Sequence, residues 1–150
     1  MGTVTLQNDS RTAVGERAEG IVMTRLMSLG AVALLPLSTA RYDFAVDMGG
    51  DIEKVQVKVA QRRDSSISFN TYSQPDGSTV VPYTEDEVDV FAAYYPGTDK
   101  VYWIPFDEAA DTLTNLSLQD PSDYTKKQRR RMRFAVDHEL EAVFGGSAWD

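Results

Sequence analysis

The chain has 150 residues, of which 42% are hydrophobic, and this size and composition predict one domain with a single buried core. Its formal net charge is -8, and it contains no cysteine and only one histidine. These counts exclude disulfides, thiolate zinc sites, cysteine nucleophiles and histidine-rich metal clusters, so oxygen atoms must hold any bound metal.

No stretch of the sequence approaches the roughly 20 apolar residues that a membrane span requires, and its start is too polar for a secretory signal. We therefore expect a cytoplasmic protein with no membrane partner. Arginine outnumbers lysine ten to five and aspartate outnumbers glutamate 15 to eight, a bias that resembles proteins from a high-salt cytoplasm.

The first predicted element is an amphipathic helix over residues 12–29, where apolar side chains recur at helical spacing until Gly30 ends the pattern. Residues 31–37 form a short apolar stretch that contains Pro36, which suits an edge strand. The chain therefore begins with a helix followed by an entry into a sheet.

A β-hairpin is predicted next, because the strand-like residues 41–48 and 52–60 flank a turn at Gly49 and Gly50. Residues 65–72 form a third strand-like run. We expect this run to extend the hairpin into a meander.

The second half of the chain predicts a loop, two strands and two helices. Residues 74–85 have the composition of an exposed loop, and the aromatic-rich residues 88–95 and 100–106 are candidates for the central strands. Residues 107–113 could form a short helix, and residues 124–144 predict a long basic helical segment. The expected fold is one α+β domain over residues 1–150, with a central mixed sheet of about five strands flanked by helices.

The predicted hairpin brings polar side chains together on one face. A two-residue Gly-Gly turn places Asp43 opposite Gln56 and Arg41 opposite Lys58, and opposed side chains lie about 5 Å apart. The apolar residues of both strands alternate onto the other face. Without further information, this pattern is typical of a solvated sheet face.

The surrounding motifs resemble those of a known family. They are Gly15-Glu16-Arg17-Ala18-Glu19 opening the helix, Arg41-Tyr42-Asp43-Phe44-Ala45-Val46-Asp47, Val55-Gln56-Val57-Lys58, and the later segments of residues 89–94 and 101–105. In order and spacing they resemble the PD-(D/E)XK nuclease superfamily, which has a restriction-endonuclease-like fold. The resemblance is greatest to the branch in which Gln replaces the third acidic residue, as in a homing endonuclease associated with group I introns. Archaeal Holliday junction resolvases share the helix-hairpin arrangement.

The resemblance implies a catalytic set. Glu19 becomes the helix carboxylate, Asp43 the principal metal ligand, Gln56 the replacement for the usual acid and Lys58 the essential lysine. Glu16 is the rival for the helix position, although it also suits an interaction with the helix dipole in the first turn.

A Mg²⁺ cofactor, for which Mn²⁺ could substitute, also follows from the resemblance. Its ligands would be the carboxylates of Asp43 and Glu19, the side-chain oxygen of Gln56 and the backbone carbonyl of Val57. A neutral Gln contributes less negative charge than an acid, which leaves the number of metal ions open.

Basic residues near the end of the chain are the expected DNA contacts. Six of the 15 basic residues fall within eight positions, namely Lys126, Lys127, Arg129, Arg130, Arg131 and Arg133. The alternative is a solvated basic helix that pairs with nearby acids. Arg41 could contact a phosphate or form an ion pair, Asp89 could orient Lys58 or begin a strand, and the turn residues Asp47 and Asp51 are predicted to be structural.

The sequence therefore predicts a Mg²⁺-dependent DNA endonuclease. We expect a homodimer, because two cuts on duplex or branched DNA require two sites. A homing or restriction-type enzyme and a junction resolvase remain open. The alternatives from other classes are a non-catalytic DNA-binding module with the nuclease fold, and a structural acidic protein adapted to salt.

Overall fold

The computed structural model describes residues 9–144, and its first element is helix α1 (Arg11–Ser28). The side chain of Ser10 caps this helix by accepting a hydrogen bond from Ala13 N at 3.2 Å. The helix ends before Gly30, whose φ of 97° is a left-handed conformation that glycine adopts readily. The first predicted helix is thus confirmed.

Ten strands follow within the described part of the chain. They are β1 (Val32–Leu34), β2 (Phe44–Asp47), β3 (Ile52–Val59), β4 (Gln61–Arg63), β5 (Ser66–Asn70), β6 (Tyr72–Ser73), β7 (Val81–Pro82), β8 (Val90–Tyr95), β9 (Lys100–Pro105) and β10 (Leu113–Ser117). The main sheet has the order β1-β2-β3-β8-β9, with β3 and β8 parallel and the other neighbours antiparallel. The predicted α+β fold with a mixed five-stranded sheet is confirmed, and β1 is an edge strand.

Two apolar clusters lie on opposite faces of the main sheet. Helix α1 covers one face, where its buried residues Ala18, Val22 and Leu26 meet side chains from β2, β3 and β8. On the other face, β8 and β9 pack against a small sheet of order β10-β5-β4. Alternation along β8 assigns successive residues to the two clusters, so Phe91 faces the small sheet and Ala92 faces the helix.

Two predictions about the strands are corrected. The run over residues 65–72 does not extend the hairpin, because the second edge of β3 is taken by β8, and β5 pairs with β4 and β10 instead. Of the two strands expected at the centre, β8 lies beside β3, but β9 lies at the end of the sheet.

The predicted helix over residues 124–144 is wrong. The segment contains three short helices, α2 (Lys126–Arg129), α3 (Ala135–His138) and α4 (Leu140–Val143). Phe134 and Glu139 interrupt them with extended backbone, since Phe134 forms a bridge to β10 and Glu139 forms one to β9. These long-range backbone contacts override the helical pattern and cover the outer edge of β9.

The remaining connections are irregular. Instead of the helix predicted over residues 107–113, a single 3₁₀ turn (Phe106–Glu108) precedes β10. The predicted loop over residues 74–85 is irregular except for β7, which pairs with β6 in a two-stranded sheet. Among the described helices, none has the length and apolar character needed to cross a membrane.

Candidate active site

The β2–β3 hairpin has the register that the sequence predicts. Phe44 pairs with Val55, and the two-residue turn is closed by a 3.0 Å hydrogen bond from Met48 N to Asp51 O. Both turn glycines have positive φ, 85° for the first and 119° for the second, which matches the twist of the flanking strands. Continued by one residue, this register sets Asp43 opposite Gln56.

Asp43 lies immediately before β2, and its side chain takes part in the backbone pairing. Its N–H donates to Val55 O at 2.9 Å, and its Oδ2 accepts a hydrogen bond from Val57 N at 2.8 Å. Burial raises the pKa of the Asp43 carboxyl, while the Val57 N–H and the charge of Lys58 oppose that shift. The carboxyl is therefore fixed against the centre of β3.

Glu19 extends from α1 towards the same point. The neighbouring Ala18 is buried under the helix, so Glu19 lies at the border of the helix–sheet contact and is half-buried. Burial, followed by the charge of Asp43 and a hydrogen bond between the two carboxyls, raises the pKa of Glu19 to about 7. Glu16 is exposed one turn earlier, so of the two rivals it is Glu19 that contacts Asp43.

Lys58 completes the group from β3, two residues after Gln56 and therefore on the same face of the strand. Burial lowers the pKa of its ammonium to about 8, and the charge of Asp43 partly opposes this shift. Its Nζ donates a hydrogen bond to Tyr72 O at 3.0 Å and lies 4.9 Å from the centre of the Tyr83 ring. The lysine is therefore held by the β6–β7 pair.

Gln56 lies opposite Asp43 when the hairpin register is continued by one residue, and it is half-buried. Its Nε2 donates a long hydrogen bond of 3.4 Å to Val57 O. The oxygen and nitrogen of a side-chain amide are told apart by their hydrogen-bond partners. A cation bound at the Val57 carbonyl would favour the Gln56 amide rotated by half a turn, with its oxygen towards the cation. The geometry thus brings together all four predicted catalytic residues.

These donors fit a hard divalent cation. Burial raises the pKa of both carboxyls, and the charge of Asp43 raises the pKa of Glu19 further, so a bound cation would offset the cost of two negative charges held close together. Residues 9–144 contain no group of three or more acidic, histidine or cysteine side chains that could hold a metal. A cation here would therefore depend on the two carboxylates, on the neutral oxygens of Gln56 and Val57, and on water or substrate phosphate.

Arg41 and Asp89 have structural partners. Arg41 Nε lies 3.2 Å from a carboxylate oxygen of Glu87, in an ion pair without a hydrogen bond from that nitrogen. Asp89 accepts a 2.8 Å hydrogen bond from Lys54 N, four residues before Lys58. The turn residue Asp47 accepts one from Gly50 N at 2.9 Å.

The basic residues of the C-terminal segment lie apart from this cluster, at the β9 end of the sheet. Arg133 Nε donates to Glu108 O at 2.6 Å, whereas Lys126, Lys127, Arg130 and Arg131 have no acidic side chain within ion-pair distance in the described part of the chain. A cavity of about 680 Å³ lies beside the segment, bordered by arginines, Trp103 and His138. None of the four candidate catalytic residues lines this cavity, so the two features are separate.

Sequence reasoning missed Tyr83. This residue follows β7 in the predicted loop, yet its side chain is buried and contacts both Arg41 and Lys58. A bulky aromatic residue inside an otherwise polar, proline-containing loop is the signal that could have found it.

Comparisons with known proteins agree with this arrangement. A sequence model of the PD-(D/E)XK endonuclease family matches residues 10–141, so the chain belongs to that family. The fold is similar to that of a bacterial homing endonuclease, I-Ssp6803I, with a TM-score of 0.61 and 20% sequence identity over 87% of this chain and 86% of that chain. No curated protein matches the sequence significantly. The fold is restriction-endonuclease-like, as the resemblance implied.

Proposed function

We propose that the protein is a metal-dependent DNA endonuclease that hydrolyses phosphodiester bonds through Glu19, Asp43, Gln56 and Lys58. The observation that carries this proposal is the contact between the Glu19 and Asp43 carboxyls beside a half-buried Lys58, in a chain of an endonuclease family. Adjacent anionic and cationic groups suit phosphodiester hydrolysis, in which water attacks the phosphate and the negative charge that develops on it must be stabilised.

The carboxylates of Glu19 and Asp43, the Val57 carbonyl and the Gln56 amide oxygen are the groups that would hold Mg²⁺ or Mn²⁺. Such an ion supplies Lewis-acid stabilisation of the phosphate and a bound water of lowered pKa. Positive charge added nearby would lower the pKa of Glu19, against the burial and the charge of Asp43 that raise it, and would favour the carboxylate form that binds a cation.

Lys58 acts as a cation in this proposal. With a pKa of about 8 its ammonium is mostly protonated at neutral pH, so it donates a hydrogen bond to a phosphate oxygen and stabilises developing negative charge. The ion pair between Arg41 and Glu87 favours a structural role for Arg41.

Contact with the DNA backbone is assigned to the basic C-terminal segment. Its exposed cations lack acidic partners among the described residues, which favours phosphate contact over the alternative of a paired, solvated helix. Two copies of the chain would supply the two sites that a double-strand cut requires.

The fold similarity to a homing endonuclease favours cleavage of duplex DNA as the leading branch. Junction cleavage is the second candidate, because the described residues contain no separate recognition domain and branched DNA is read by shape. A non-catalytic DNA-binding module is the alternative from another class, and the unbroken Glu19, Asp43, Gln56 and Lys58 set argues against it.

The test is cleavage of labelled duplex, single-stranded and four-way-junction DNA with Mg²⁺ or Mn²⁺ over a salt series. Asp43→Asn, which keeps an acceptor for the Val57 N–H, and Lys58→Ala are expected to lose most or all of the cutting activity, while Asp51→Asn, on the exposed hairpin turn, keeps it. The preferred substrate identifies the branch. Binding of DNA without cleavage of any substrate would contradict the proposal and favour the non-catalytic module.

A further inference from the structure

The side chain of Tyr83 is buried and lies against two cations. Its ring packs edge-on against Phe91, with centroids 5.7 Å apart, on the face of the main sheet that meets the small sheet. The Arg41 guanidinium carbon lies 4.4 Å from the ring centre, and Lys58 Nζ lies 4.9 Å from it. Both distances are within the range of cation–π attraction.

Arg41 fixes the backbone that carries this ring. Its Nη2 donates hydrogen bonds to Val81 O at 3.3 Å and to Pro82 O at 3.1 Å, the two residues that precede Tyr83. Its ion pair with Glu87 holds the far side of the same loop. The ring therefore has a fixed position before any substrate arrives.

The β6–β7 pair supplies both of the contacts that hold the Lys58 ammonium. One is the Tyr72 carbonyl from β6, and the other is the Tyr83 ring directly after β7. Within residues 9–144, no carboxylate oxygen lies within 4.0 Å of Lys58 Nζ, although Asp43 is near enough to affect its pKa.

We propose that Tyr83 is a positioning residue for Lys58, holding the ammonium by its ring so that the lysine does not close onto Asp43. An ion pair between Lys58 and Asp43 would occupy the carboxylate that a cation needs. A ring attracts an ammonium without neutralising its charge, so the lysine stays available for a phosphate oxygen. This inference rests on the proposed function, in which Lys58 acts on the phosphate.

The contact itself can be measured without any activity. In the 150-residue chain, the ε-methylene protons of Lys58 should show an upfield ring-current shift by NMR. The shift should persist in Tyr83→Phe, which keeps the ring, and disappear in Tyr83→Leu. Phe106→Leu removes another ring of the same cluster that contacts Phe91, and should leave the shift unchanged. Equal Lys58 shifts in wild type and Tyr83→Leu would overturn the inference.

The catalytic role is then tested by single-turnover cleavage with Mg²⁺ and by DNA affinity. Tyr83→Leu should lower the maximal rate roughly tenfold to thirtyfold, the effect of one desolvated cation–π contact, with DNA affinity unchanged. Tyr83→Phe should restore the rate, and Phe106→Leu should keep it. A normal maximal rate in Tyr83→Leu would overturn the positioning role and leave the proposed function intact. A wild-type protein that has the ring-current shift but cuts no DNA would instead overturn the proposed function.

Discussion

The Asp43 carboxylate accepts the Val57 N–H at 2.8 Å, so the residue proposed as a metal ligand also satisfies a backbone donor of β3. This bond fixes the carboxylate beside the Val57 carbonyl, which belongs to the same candidate ligand set. One residue therefore links the hairpin to the site. Variants at Asp43 must preserve this acceptor if loss of activity is to be separated from loss of structure.

The raised pKa of Glu19 predicts pH-dependent stability in the metal-free protein. Between the ordinary glutamate value of roughly 4.3 and about 7, the folded protein binds a proton at Glu19 that the unfolded chain has released. Stability is therefore lost as the pH rises through this window. Urea unfolding in the presence of EDTA should show this loss in wild type and a weaker one in Glu19→Gln.

Glu141→Gln is the control for that measurement, since Glu141 is an exposed glutamate of α4 away from the carboxyl pair. It should follow the wild-type pH dependence. The same pH profile for Glu19→Gln and wild type would show that the two carboxyls do not share a proton.

Lys58 changes the stability in the opposite direction at higher pH. Its pKa is lowered to about 8 in the folded protein, so the stability falls as the pH decreases from the ordinary lysine value towards about 8.

Gln56→Glu should strengthen binding of the divalent cation. It adds a negative charge beside two carboxyls that already repel each other, so the Mg²⁺ concentration for half-maximal cleavage should fall by roughly tenfold or more. The metal-free variant should be less stable than wild type at pH 8. An unchanged Mg²⁺ requirement would mean that position 56 does not contribute to the cation site.

Asp89 is predicted to act on stability and not on chemistry. Its side chain satisfies the Lys54 N–H, so Asp89→Ala should destabilise the fold by about 1–3 kcal/mol in urea unfolding. Asp89→Asn keeps an acceptor oxygen for the Lys54 N–H and should therefore lose less stability than Asp89→Ala. Both variants should cleave DNA at the wild-type rate under conditions where they remain folded. A selective fall in that rate would instead support the idea that Asp89 orients Lys58.

The exposed cations of the C-terminal segment should set the salt dependence of DNA binding. Arg130→Ala and Lys126→Ala should each reduce the slope of log affinity against log salt by about one for each phosphate contact removed. Arg25→Ala is the control, because Arg25 is already paired with Asp99 at 2.8 Å. Salt slopes unchanged from wild type in both test variants would place the DNA elsewhere on the surface.

Local sequence signals predicted the hairpin well. The Gly49-Gly50 turn alone set the register, and that register determined which polar side chains share a face. The first helix was equally predictable from its apolar spacing. The contact of Glu19 with Asp43 followed from a family resemblance, because no local pattern relates a helix carboxylate to a distant strand.

Long-range contacts explain what the sequence did not reveal. The predicted final helix fails because Phe134 is buried and bridges to β10, and Glu139 bridges to β9. Neither contact can be inferred from the helical spacing of apolar residues in this segment. Tyr83 was missed for a similar reason, since its partners Arg41 and Lys58 lie 42 and 25 positions away along the chain.

The most direct test of the central claim is the single-turnover cleavage rate of Asp43→Asn with saturating Mg²⁺, compared with wild type and Asp51→Asn. The asparagine keeps an oxygen that can accept the Val57 N–H but lacks the negative charge. We expect a loss of at least about a hundredfold, with unfolding and DNA affinity close to wild type, while Asp51→Asn remains active. A wild-type cleavage rate in folded Asp43→Asn would contradict the assignment of the active site to this hairpin.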